Sequence, residues 1–112
     1  MKKSSDVFVF DKDIAATPTG EGVTRKILGY CENMMVCKIR LEKGAVVPNH
    51  THPHEQCTTV VSGKLTYTVG EETKDVQGGD SVMIGENVPH ALTALEESLV
   101  FDIFTPMRED FV

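Results

Sequence analysis

The stretch Gly44-Ala-Val-Val-Pro-Asn-His50-Thr-His52-Pro-His-Glu-Gln56-Cys-Thr-Thr-Val-Val-Ser-Gly63 decides how this chain is read. Side chains alternate faces along an extended strand, so His50 and His52 are expected to present both imidazoles to one side. Imidazole is the commonest neutral nitrogen ligand for transition metals. A third imidazole at His90 and an amide oxygen from Gln56 would complete a set of four protein ligands, leaving one or two positions for water or substrate. Cys57, next to Gln56, is expected to face away from that centre.

Outward from this stretch the chain reads as short strands between turns. Gly44 and Pro48 interrupt the pattern before the histidines, and strands are expected over 56–61, 65–69, 74–76 and 81–84. Ser62-Gly63, Gly70-Glu-Glu-Thr and Gly78-Gly79-Asp80 supply the turns between them. After Gly85-Glu-Asn-Val-Pro-His90, further strands follow over 91–95 and 99–104. Upstream, residues 23–30 and 34–42 flank the turn Glu32-Asn33 as a hairpin. In its second arm Met35, Cys37, Ile39 and Leu41 alternate with Lys38, Arg40 and Glu42, giving one buried and one wet face. Val7-Phe8-Val9-Phe10 reads as an edge strand leading into a turn-rich arm, Thr17-Pro-Thr-Gly-Glu-Gly22. No helical periodicity competes, so the prediction is an all-β, antiparallel barrel or sandwich.

In the last strand Leu99, Phe101 and Ile103 form an apolar row on one face, with Val100, Asp102 and Phe104 on the other. A strand apolar on both faces is usually covered on both. Cover for the outer face can come from a second copy, which predicts a homodimer, or from residues 7–10 of the same chain.

A chain of 112 residues has room for one domain and one core. The expected layout is a single domain over 1–112: an N-terminal strand or arm to residue 20, a barrel over 21–105 and a tail from 106. Seventeen acidic against eleven basic residues give a net charge of −6, which argues against a nucleic-acid partner. Lys2-Lys3 reads as a solvated tail. No apolar run is long enough to span a bilayer, and Met1-Lys-Lys-Ser-Ser-Asp lacks the apolar segment of a secretory signal, so a cytoplasmic protein without a membrane partner is expected. The three cysteines, Cys31, Cys37 and Cys57, are odd in number and lack metal-type pairing; they read as reduced thiols packed as small apolar groups.

Each candidate residue has a plainer alternative. His50 and His52 can be solvated loop histidines beside Pro53, and Gln56 can orient a histidine without touching metal. His54 follows Pro53, so its direction cannot be taken from parity, and it reads as an exposed or supporting residue. Asp102, if it faces inward, is a general acid or base whose pKa is set by burial against metal charge; otherwise it is an outer-face ion-pair partner. Phe104 is by default core packing. Arg108 can bind a substrate carboxylate bidentately or pair with Glu109 or Asp110.

The spacing of Gly44, His50, His52, Gln56 and Gly63 resembles the first signature of the cupin superfamily, and Gly79 with Pro89-His90 resembles the second. The second departs from the family at Gly85, where Pro is frequent, and at Asn87, where Gly is frequent. A narrower resemblance, carried by residues 22–30, the His-x-His-Pro-His-Glu-Gln run and the tail Asp102-Ile-Phe-Thr-Pro-Met-Arg108-Glu-Asp-Phe111, is to the pectin-degradation cupins of the KdgF type. That resemblance implies a jelly-roll barrel that converts unsaturated uronates into linear keto forms. It also implies metal ligation by His50, His52, Gln56 and His90, and a substrate site lined by Asp102, Phe104 and Arg108.

Cupins commonly carry Glu where this chain has Gln56. A neutral amide leaves a divalent site with its full positive charge, a better Lewis acid and a poorer support for an oxidised metal. Taken with that resemblance, the function expected is metal-dependent ring opening or isomerisation of a small unsaturated uronate or keto-sugar acid, an anionic small-molecule substrate, to its linear keto form. One divalent metal per chain is implied, with nickel, zinc, iron, manganese and copper all compatible. The alternatives are a cupin dioxygenase using the three histidines, or a sugar-acid-binding cupin without catalysis.

Overall fold

The computed structural model describes residues 4–112, so the Lys2-Lys3 tail lies outside the described residues. The strands are β1 (Thr17–Gly20), β2 (Val23–Cys31), β3 (Met34–Leu41), β4 (Val46–His50), β5 (Glu55–Ser62), β6 (Lys64–Val69), β7 (Glu72–Gln77), β8 (Ser81–Ile84), β9 (His90–Ala94) and β10 (Ser98–Thr105). Single 3-10 turns cover Asp11–Asp13 and Glu109–Phe111. One antiparallel sheet has the order β1-β2-β3-β10-β5-β8 and the other β4-β9-β6-β7, so the all-β jelly roll is as expected. From β4 onward the chain crosses repeatedly between the sheets. The two halves of the 44–63 stretch therefore land on opposite walls.

Alternation places the core. Buried Leu41, Val60, Leu65, Tyr67, Ile84, Leu92, Ala94 and Val100 meet between the sheets, and Met35, Cys37, Phe104 and Met107 form a second cluster. Full burial of one such aliphatic side chain stabilises by roughly 1.5–3 kcal/mol. The 63–64 connection is tight: Gly63 has φ +92°, and a Cβ there would collide with Ser98 Oγ and lie 2.5 Å from the Glu97 carbonyl oxygen. Glycine is required by space as well as by backbone angle.

The N-terminal expectations are corrected. Residues 7–10 form no strand, and Val7, Phe8 and Phe10 are exposed. Ser5 bonds Tyr30 of β2 through its backbone N–H, and Asp11 bridges Lys26 and Lys38 at 3.3 and 3.0 Å. Side-chain and single backbone anchors hold this segment in place of a strand ladder. Instead, Thr17–Gly20, expected as part of a turn-rich arm, is a strand paired antiparallel to β2. Pro18 is tolerated because β1 is an edge strand.

Of the thiols, Cys37 is buried, Cys57 half-buried and Cys31 exposed, so Cys31 departs from the expected packing: it ends β2, where the apolar face runs out. On the outer face of the larger sheet, cross-strand register aligns Val36, Ile103, Cys57 and Met83 in one apolar row.

Candidate metal centre

His50 and His90 are direct register partners across β4 and β9, with ring centroids 4.2 Å apart. His52 does not share the strand. β4 ends at His50, and His52 lies in the loop beyond it, where Pro53 cannot extend a ladder. The loop still turns its imidazole inward, 4.9 Å from the His90 ring. Asn87 holds it there by donating its backbone N–H to the His52 carbonyl at 2.9 Å. Asn87 has φ +58°, the left-handed region that Asn tolerates better than most residues. This explains how Asn replaces the usual Gly at that position.

The three imidazoles offer ligand atoms within 4.8 Å of one another. In each ring Nδ1 faces a backbone carbonyl: Pro48 at 2.8 Å for His50, His54 at 3.2 Å for His52 and Val88 at 2.8 Å for His90. A carbonyl only accepts, so in His50 and His90, where the contacts are 2.8 Å, Nδ1 carries the proton and the Nε2 lone pair is left for a ligand. The buried Nε2 of His90 has no hydrogen-bond partner among the described residues. Nε2 of His52 lies 2.9 Å from Gln56 Oε1, so both of its ring nitrogens face oxygen acceptors. A neutral His52 cannot donate from both nitrogens, whereas a cation between Nε2 and Oε1 satisfies both atoms. Burial first, and the neighbouring imidazoles less, hold His90 down to about 4, and burial likewise lowers His52. Neutral imidazoles are the metal-binding form. The donor set fits a divalent transition metal held by three nitrogens and one amide oxygen.

Gln56 enters from β5, on the opposite sheet, and is buried. Its amide is oriented by what its nitrogen touches: Nε2 donates to Thr58 Oγ1 at 3.0 Å and lies 3.5 Å from Tyr67 Oη. Thr58 donates its one proton to Asp102 Oδ1 at 2.7 Å. The 3.1 Å contact between Thr58 and Tyr67 must then have Tyr67 as donor. A continuous buried chain thus joins the histidine cluster to Asp102. Burial raises the Asp102 carboxyl, opposed by the hydrogen bonds from Thr58 and Gln56, and raises the Tyr67 phenol.

Asp102 faces inward with Val100 and Phe104, lining a cavity of about 140 Å³ that also takes in His50, Gln56, His90, Arg25, Arg108 and Phe111. Its alternative as an outer-face ion-pair residue is excluded by this parity. Phe104 is buried and meets His52 edge-on at 5.6 Å. Arg108 reaches the cavity wall and also grips Asp110, donating from Nε at 3.0 Å and Nη2 at 2.8 Å. His54 is half-buried beside His52, with rings 5.5 Å apart. Thr58, Tyr67, Arg25 and Phe111 were not legible as site residues. Parity held the signal for two of them: Thr58 is two residues after Gln56, and Arg25 two after the core residue Val23.

The cupin domain family matches residues 37–104. The pectin degradation protein KdgF of Dickeya dadantii (strain 3937) is 30% identical over 107 residues, covering 94% of this chain and 97% of that protein. An RmlC-like cupin from Shewanella frigidimarina superimposes with a TM-score of 0.95 at 32% identity, covering 99% of this chain and all (100%) of the other. KdgF from Halomonas sp. does so with a TM-score of 0.91 at 28% identity, covering 96% and 100%. With the jelly roll, the convergent histidines and both glycine-marked signatures in place, the chain belongs to the cupin family.

Proposed function

We propose that this cupin opens the ring of a small unsaturated uronate, delivering its linear keto form. The observation that carries the proposal is that Asp102, His50 and His90 line one cavity, and that Asp102 is joined to the histidine cluster through Thr58 and Gln56. The similarity to KdgF proteins supports the substrate class. A divalent metal held by His50, His52, His90 and Gln56 Oε1 would supply Lewis acidity toward a sugar oxygen. Asp102 exchanges the proton: the anomeric hydroxyl loses one as its oxygen becomes the aldehyde carbonyl, the bond from the anomeric carbon to the ring oxygen breaks to release an enolate, and that enolate gains one at carbon to become a ketone. Atoms balance without a co-reactant. Phe104 walls the sugar, and Arg108 adds positive charge at the rim.

The reaction is placed in the cytoplasm, where thiols such as Cys31, Cys37 and Cys57 stay reduced. Two copies pair through the outer row of Val36, Ile103, Cys57 and Met83, whose apolar surface is otherwise left to water. Loss of the ultraviolet absorbance of an unsaturated uronate tests the activity. Asp102→Ala and His50→Ala are each expected to abolish it, and unchanged rates in both would overturn the mechanism.

A further inference from the structure

We propose that Arg25, and not Arg108, is the group that binds the carboxylate of the substrate. This rests on the sugar-acid reading of the site. Arg25 takes an inward position on β2, opposite Ile39 of β3, and lines the same cavity as Asp102, His50 and His90. A cation turned toward an apolar interior is costly unless an anion answers it. Among the described residues none does. The ion pairs there join Lys26 and Lys38 to Asp11 and Arg108 to Asp110, while Asp102 is bound by Thr58.

What holds Arg25 is an aromatic face. Its guanidinium carbon sits 3.8 Å from the ring centroid of Phe111, on the tail. Stacking uses the flat face of the guanidinium and leaves its in-plane N–H donors free, the fork that matches a carboxylate. Arg108 stacks on Phe111 too, at 4.2 Å, yet two of its donors already go to Asp110. Of the two cations on the cavity wall, Arg25 is the one with an unused fork. The tail therefore presents Arg25 through Phe111, and the ligand class is a monocarboxylate.

The test uses full-length, metal-loaded protein with Arg25→Met, Arg25→Lys and Arg108→Met. Arg25→Met is expected to raise KM for an unsaturated uronate about 10- to 100-fold with a smaller change in kcat; Arg25→Lys should fall between it and wild type. In calorimetric titrations galacturonate should bind wild type more tightly than its methyl ester, a preference that Arg25→Met erases. An Arg25→Met protein with unchanged KM, an Arg108→Met protein that alone loses the preference, or wild type that does not distinguish acid from ester overturns the assignment. If Arg25→Met does not fold, the Lys variant decides. A wild type that binds galacturonate but turns over no uronate would sink the ring-opening reading while leaving Arg25 as the carboxylate receptor.

Discussion

Thr58 donates to Asp102 at 2.7 Å while accepting from Gln56 at 3.0 Å, so one hydroxyl sets the geometry of both the amide and the carboxylate. Thr58→Val keeps the shape and removes the hydroxyl, leaving the Tyr67 hydroxyl without its acceptor while the Gln56 amide keeps its contact with Tyr67. Each buried group so orphaned costs about 1–3 kcal/mol. A drop in Tm of roughly 5–10 °C is expected for a domain this size, with uronate turnover reduced about 10- to 100-fold. Calorimetry and the absorbance assay check both; wild-type turnover in a folded Thr58→Val protein would refute the coupling.

Metal content separates ligands from bystanders. Purified wild type is expected to carry one equivalent of a divalent transition metal by elemental analysis, and His50→Ala, His52→Ala and His90→Ala to carry much less. Because a ligand that binds only the folded state raises stability by mass action, a chelator should lower the wild-type Tm and leave the three variants nearly unmoved. His54→Ala should retain its metal.

Gly63 and Gly44 both have positive φ, +92° and +86°, but only Gly63 has atoms where a Cβ would go. Gly44→Ala is therefore expected to cost about 1–2 kcal/mol from backbone conformation alone. Gly63→Ala should add about 1–3 kcal/mol of steric conflict to a similar backbone cost. Urea denaturation of the two variants measures the difference, and equal midpoints would be inconsistent with the tight Gly63 connection.

Thiol chemistry should follow burial. Exposed Cys31 is expected to react with iodoacetamide in the native protein. Cys37 should not, because it is buried and its thiol is pushed up to about 12, chiefly by desolvation, so almost no thiolate exists at neutral pH. Mass spectrometry before and after denaturation reads this directly.

The Arg108 guanidinium holds the Asp110 carboxyl below its ordinary value. A carboxyl whose folded pKa is depressed adds stability above its unfolded pKa and loses it as pH falls through the folded one. Asp110 is largely exposed, so the pair is worth no more than about 1 kcal/mol. The Tm difference between wild type and Asp110→Asn should be small at pH 7 and vanish as pH falls through the lowered folded value of the Asp110 carboxyl; a difference that grew on acidification would contradict the pairing.

Period-two alternation in 34–42 was enough to predict a strand and its buried face, because a sheet with one wet side imposes that pattern on composition; the strands over 56–61, 65–69 and 99–104 were also legible, but in 99–104, apolar on both faces, the inward face was left to the tertiary structure. Gly44, His50, His52, Gln56, Gly63 and Pro89-His90 named the candidate ligands, since their residue types and spacing are chemical requirements visible along the chain. What parity could not decide was convergence. His52 left the strand and still turned inward, because its loop is fixed by Asn87, 35 positions away in number. Thr58, Tyr67 and Asp102 became one hydrogen-bonded chain only where β5, β6 and β10 close around a cavity. Phe111 and Arg25 lie at opposite ends of the chain, and their stacking exists only once the tail folds back over β2. Local pattern records which way a side chain faces, whereas which groups share a cavity depends on how the two sheets cross.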